Sequence, residues 1–89
     1  MVYILAHTKT KDYKEWRSVF NEMSENRRSN GEKSARVFQS VQDPNDVTIL
    51  FEWDSAENAQ KYMKSKELQD ARERGGAIGD PVVHILNQV

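Results

Sequence analysis

His7 and His84 are the only imidazoles in an 89-residue chain without cysteine, so few side chains could do chemistry near neutral pH. An imidazole with an ordinary pKa of about 6.5 can accept or donate a proton there. His7, which closes the apolar run VYILAH, is the candidate catalytic acid or base. As metal ligands the two histidines would need a third donor. Glu52 is the only carboxylate well inside a strand-like run, so no metal is expected. Either histidine could equally do no more than hydrogen-bond near a strand end. Covalent catalysis has no candidate, because cysteine is absent and no serine stands in a nucleophile-elbow context. GGAIG at 75–79 follows a helical run and is not succeeded by Lys-Ser or Lys-Thr, which marks a helix stop rather than a phosphate loop.

The bulky side chains are a second source of chemistry. Trp16, Phe20, Met23, Phe38, Phe51, Trp53, Tyr62 and Met63 carry most of the aromatic and thioether surface. They can pack helices onto a sheet, or they can wall a flat apolar cavity for an aromatic or polyketide-like compound. The candidate ligand contacts are Trp16, Phe20, Phe38, Phe51, Trp53 and Tyr62, with Arg36 or Tyr62 as the polar contact. Such a cavity belongs between the first helix and the sheet.

The elements that must position these groups follow from periodicity and punctuation. VYILAHT, 2–8, is rich in β-formers and predicts a strand. Asp12 stands three residues before Glu15, the spacing of a reciprocal helix cap. Tyr13, Trp16, Val19, Phe20 and Met23 then make one apolar stripe. Arg27 and Arg28 complement the carbonyl end of that helix, and Gly31 offers a left-handed stop. SARVFQSV, 34–41, and VTILFEW, 47–53, form a hairpin about the turn DPND. Asp54 or Ser55 caps a second helix whose inner side is Ala56, Ala59, Tyr62 and Met63. Ser65 followed by KEL restarts it with Leu68 and Ala71 inward, and Gly75–Gly76 end it. Glu57 with Lys61 and Asp70 with Arg74 are spaced as i,i+4 ion pairs on solvated faces. Pro81 opens the last strand, VVHIL, where a missing amide is tolerated.

The expected fold is therefore α+β: one domain, 1–89, of order βαββαβ, a four-stranded antiparallel sheet with helices on one face. A chain of this size buries roughly 60–65% of its unfolded surface, and without disulfides it gains from further burial. The third strand is apolar on both parities, with Val47, Ile49, Phe51 and Trp53 on one and Leu50 on the other. The first strand repeats this with Val2, Ile4 and Ala6 against Tyr3, Leu5 and His7. Helices cover only one face, so a homodimer through the other sheet faces is expected.

Composition excludes several partners. The net charge is −1 at pH 7, which lacks the phosphate-neutralising term that nucleic-acid binding requires. The βαββαβ order is shared with RNA recognition motifs, but DVTILFEW lacks the glycine and the basic residue that their third strand needs. No apolar run approaches the roughly 20 residues of a membrane span, and MVYILAH is too short for a signal peptide. The protein is read as cytoplasmic, with neither a nucleic-acid nor a membrane partner.

HTKTKDYKEWRSVF, the N-x-x-G of NGEKSARVF, DPNDVTILFEWDSAENAQKYMKSKEL and RERGGAIGDPVVHIL together resemble the dimeric α/β-barrel superfamily, the ferredoxin-like group that includes antibiotic-biosynthesis monooxygenase-like domains. The likeness spans nearly the whole chain. It implies a dimer whose two sheets enclose a barrel, with small ligands lying between a sheet and its helices. Its members include cofactor-free monooxygenases, haem-degrading enzymes and stress-responsive proteins. The haem-degrading ones use a histidine on the second helix, and residues 55–74 contain none. No cofactor is expected. The Asn, Trp, Tyr and Arg group of the quinone-forming monooxygenases has no residue-by-residue counterpart that could be placed here. The expected function is binding of a small apolar or aromatic molecule, and the alternative is a cofactor-independent monooxygenase-like or cyclase-like enzyme in which His7 moves a proton.

Overall fold

A computed structural model describes all of residues 1–89. The elements are β1 (Val2–Thr10), α1 (Tyr13–Glu22), α2 (Ser24–Ser29), β2 (Glu32–Gln39), β3 (Asp46–Trp53), α3 (Ala56–Met63), α4 (Lys66–Arg74) and β4 (Ala77–Asn87). The four strands form one antiparallel sheet of order β2-β3-β1-β4 with the helices on one face, the ferredoxin-like arrangement expected. Both helical segments are split in two. The break after Met63 is the restart anticipated at Ser65, whose hydroxyl accepts from the Leu68 amide. The break at Met23 was not anticipated, because the apolar stripe runs through it without interruption.

Local chemistry sets the boundaries. The Asp12 carboxylate accepts from the Lys14 amide at 2.9 Å, and the side chain of Asn45, from the β2–β3 turn, accepts from the Tyr13 amide at 2.8 Å. The hairpin tip thus caps α1 and fixes its entry onto the sheet. Ser55 caps α3 by accepting from the Asn58 amide. Gly31 holds φ at +121°, and a Cβ there would lie 2.4 Å from Asp54 Oδ1, so only glycine makes the turn from α2 into β2.

Strand parity divides the side chains cleanly. Ile4, Ala6, Thr8 and Thr10 of β1 and Val47, Ile49, Phe51 and Trp53 of β3 are buried beneath the helices. Trp53 is wholly enclosed, and its indole N–H donates to the Asn30 carbonyl, which satisfies the one polar group of a large buried ring. The other face is a grid of three rows across the sheet: Ser34–Glu52–Tyr3–Leu86, Arg36–Leu50–Leu5–His84 and Phe38–Thr48–His7–Val82. No helix covers it, and Phe38, Val82 and Leu86 are about half exposed.

Two irregularities re-aim residues. Glu32 pairs with Trp53 while Ser34 pairs with Glu52. Lys33 is therefore an extra residue, and the bulge turns Glu32 under the helices, where it is buried. On the other edge, Lys9 pairs with Ile78 and His7 with Val82, so Gly79, Asp80 and Pro81 stand opposite Thr8 alone. Pro81 therefore does not open the last strand. That strand begins at Ala77, and the proline sits at a bulge in an edge strand, the other place where a missing amide costs no ladder bond. Arg74 likewise pairs with Glu22 of α1 at 3.0 Å rather than with Asp70. No helix is long and apolar enough to cross a membrane.

Candidate functional site

A chain of ring contacts runs from α1 through β3 to α3. Tyr13, Trp16, Phe20, Phe51, Trp53 and Tyr62 follow one another with centroid separations of 5.0–6.1 Å. Beside this chain lies a cleft with about 70 Å³ open to the centres of water-sized molecules, within about 630 Å³ of space that runs out into solvent. Twelve of its 16 lining residues are hydrophobic. Its floor is the middle of the sheet, where β1 presents the small residues Ala6 and Thr8 beside Ile49, Phe51 and Val83. Its walls are Trp16, Val19, Phe20 and Met23 on one side and Tyr62, Met63, Leu68 and Ala71 on the other. Small side chains on a central strand, with larger ones from the helices around them, are what leave the space open.

The polar groups of the lining are few and specific. Arg27, on α2, is 4% exposed. Its Nε donates to Glu32 Oε2 at 2.5 Å and its Nη1 to the Phe20 carbonyl at 2.7 Å, while Cζ lies 3.7 Å from the Phe20 ring centroid. The guanidinium is thus held by a carboxylate, a carbonyl and an aromatic face together. Arg72, on α4, donates from Nη1 to Thr8 Oγ1 at 3.3 Å and from Nη2 to the Gly79 carbonyl at 2.7 Å. Burial lowers its pKa from the ordinary arginine value, with Asp80 opposing the shift, yet it remains a cation at any physiological pH. Burial raises the Tyr62 phenol above its ordinary pKa of 10.0, against the pull of the nearby Arg27, so the hydroxyl is neutral and able to donate.

The residues expected from sequence divide into three sets. Trp16, Phe20, Phe51 and Tyr62 come together in the cavity wall. Trp53 lies behind them, fully enclosed and outside the lining. Arg36, Phe38 and His7 lie on the opposite, open face of the sheet, so Arg36 is not the polar contact of this cavity. His7 Nε2 is in hydrogen-bond contact there with Asp46 Oδ1. His84 is its diagonal neighbour, since His7 pairs with Val82 and Leu5 with His84. No group of three or more His, Asp or Glu side chains converges anywhere in the fold.

Arg27 and Arg72 were missed in the sequence. Arg27 stands four residues after Met23 and seven after Phe20, on the continuation of the apolar stripe, and a cation on a buried stripe signals a partnered or functional charge. Arg72 falls four residues after the inward Leu68, which carries the same signal more weakly.

The sequence profile of the family described as antibiotic biosynthesis monooxygenase matches residues 1–74. No curated protein matches the sequence. Among solved structures, a candidate antibiotic biosynthesis monooxygenase of Bordetella bronchiseptica is 16% identical with a TM-score of 0.81, covering 99% of this chain and 96% of that one. SnoaB of Streptomyces nogalater, described as a cofactor-independent oxygenase, is 11% identical with a TM-score of 0.75, covering 99% and 94%. Rv0793 of Mycobacterium tuberculosis is 15% identical with a TM-score of 0.73 and the same coverage. At these identities the structural likeness speaks to fold.

Proposed function

Since the chain belongs to the antibiotic biosynthesis monooxygenase family, we propose that it is a small homodimeric protein whose cavity between helices and sheet binds a small apolar or aromatic molecule. The observation that carries this reading is the cleft itself, walled by Trp16, Phe20, Phe51 and Tyr62 and floored by small residues of β1. A predominantly apolar wall with a few fixed polar groups is the usual make-up of a small-molecule site. The homodimer rests on the uncovered face, where half-buried Leu5 and Leu50 and half-exposed Phe38, Val82 and Leu86 are apolar groups that a second copy would cover. A cytoplasmic site of action goes with this reading, to which a cysteine-free chain is suited.

A second reading is favoured by the fold shared with SnoaB, described as a cofactor-independent oxygenase. In it, a bound aromatic with an activated methylene meets dioxygen. One oxygen atom becomes a carbonyl on that carbon, and the other leaves as water with the carbon's two hydrogens. The substrate supplies the electrons, so no cofactor is required. His7, on the open face, would act only on a ligand held between the two sheets of the dimer. For a substrate in the cleft, Tyr62, Arg27 and Arg72 are among the lining groups able to donate hydrogen bonds to developing oxyanions.

Titration with 2-methyl-1,4-naphthoquinone, followed by quenching of tryptophan fluorescence, tests the binding reading, since Trp16 lies in the wall. Saturable binding that is lost when Val83→Phe fills the floor supports it, and no binding to the wild type overturns it. Oxygen uptake with an anthrone, compared between wild type and Tyr62→Phe, separates binding alone from turnover.

A further inference from the structure

Arg27 is the only fully buried cation of the fold. A guanidinium carries five N–H donors in a rigid fork and no acceptor. The contacts to Glu32 and to the Phe20 carbonyl use Nε and Nη1; Nη2 makes no hydrogen bond of ordinary geometry within the protein, and the Tyr62 hydroxyl stands beside the guanidinium. Nη2 is not sealed in either, because Asn26 Oδ1 is the single fully buried side-chain polar atom without a partner. The open space beside Arg27 is the cavity it lines. The stacking on Phe20 and the two hydrogen bonds fix the plane of the fork, so the free edge has one direction.

What such an edge recognises follows from its chemistry. It can meet only an acceptor, and it meets a charged acceptor more strongly than a neutral one. No Asp or Glu lines the cavity, and its second charged residue is another cation, Arg72. The only charges in the lining are thus the two guanidiniums, with the Glu32 carboxylate behind Arg27 offsetting part of its charge. Resting on the cavity reading above, we infer that Arg27 is the specificity-determining residue of the site, and that the ligand is a flat apolar ring system bearing an acidic oxygen seated against Arg27 Nη2. Glu32 is a positioning residue, which the bulge at Lys33 brings under the helices to hold the fork.

Two probes of nearly equal shape isolate this contact: 2-hydroxy-1,4-naphthoquinone, an enolate at neutral pH, and 2-methyl-1,4-naphthoquinone. The wild type is expected to bind the hydroxy compound at least about tenfold more tightly, the size of one charge-assisted hydrogen bond. In Arg27→Met/Glu32→Gln, which leaves no buried charge unpaired, the ratio of the two affinities is expected to fall to about one. A purely structural role would lower the melting temperature and leave the ratio untouched. Arg27→Lys, which retains the charge without the fork, provides the same test if the double variant fails to fold, and its preference is expected to fall to a third or less. Equal affinity of the wild type for both probes, or an undiminished preference in the variants, overturns the role of Arg27 and leaves the cavity reading standing. Failure of the wild type to bind either probe overturns both.

Discussion

Arg27 and Glu32 meet beneath the helices as a salt bridge with both side chains about 5% exposed, joining α2 to the start of β2. Two charges removed from water are held by mutual attraction and by hydrogen bonds, and removing one strands the other. Arg27→Met alone is therefore expected to cost about 3–5 kcal/mol, by the same reasoning. Replacing both partners, as Arg27→Met/Glu32→Gln, should cost clearly less than the single change. Urea denaturation of the two variants checks this, and a double variant as unstable as the single one would show that the pair's charge balance is not what matters.

The uncovered sheet face makes a separate prediction. Leu5 and Leu50 are directly paired at its centre, half-buried already in one copy. If two copies close over this face, Leu5→Lys removes an apolar contact worth about 1.5–3 kcal/mol per copy. Symmetry counts the change twice, so the dissociation constant should rise about 100-fold or more. Sedimentation velocity at micromolar concentration checks it. A wild type that sediments as a stable single chain would remove the dimer from the proposed function.

Much of this architecture was legible because it depends on parity. Alternation sorts the side chains of β3 into two sets, and the stripe from Tyr13 to Met23 gives the first helix one apolar face, without knowledge of any partner strand; which set of β3 meets the helices is settled only by the packing. What alternation cannot show is a place where it breaks. The extra residue at Lys33 sends Glu32 to the helix side, and the three-residue excursion at Gly79–Pro81 carries the last strand back to Ala77. Both bulges depend on pairing with another strand, so local periodicity is blind to them. The candidate site suffered for the same reason. Arg36 and Phe38 were grouped with the cavity residues as bulky or polar types, but their parity in β2 puts them on the open face. Arg27 was read as a helix-end charge, although its spacing from Phe20 and Met23 already placed it inward.

Gly31 carries a stability prediction independent of any ligand. At φ +121° a β-carbon is strained, and it would also lie 2.7 Å from Trp53 Nε1 and 2.4 Å from Asp54 Oδ1. Strain of this kind costs about 1–3 kcal/mol before the clash is relieved. Relief would have to move the indole whose N–H bonds to Asn30. Gly31→Ala is expected to lower stability by at least about 2 kcal/mol. A change in tryptophan fluorescence should accompany it, and an unperturbed spectrum with unchanged urea midpoint would contradict this account of the turn.

Tyr62 predicts the direction of an alkaline effect. Burial among aromatic rings raises its pKa above 10.0, so between the unfolded phenol's pKa of about 10 and the folded one the native state retains a proton that the unfolded state has released. Stability then falls as pH rises through that window, and the full contribution is present below it. Tyr3 acts in the same direction through its hydrogen bond to Glu52, so the comparison must isolate Tyr62. In Tyr62→Phe the urea midpoint should decline less steeply between about pH 9.5 and 11 than in the wild type. Absorbance at an alkaline tyrosinate band should lose part of its delayed rise. Parallel declines in the two proteins would mean that the Tyr62 phenol ionises as freely in the fold as in water, and that the aromatic wall is wetter than its packing implies.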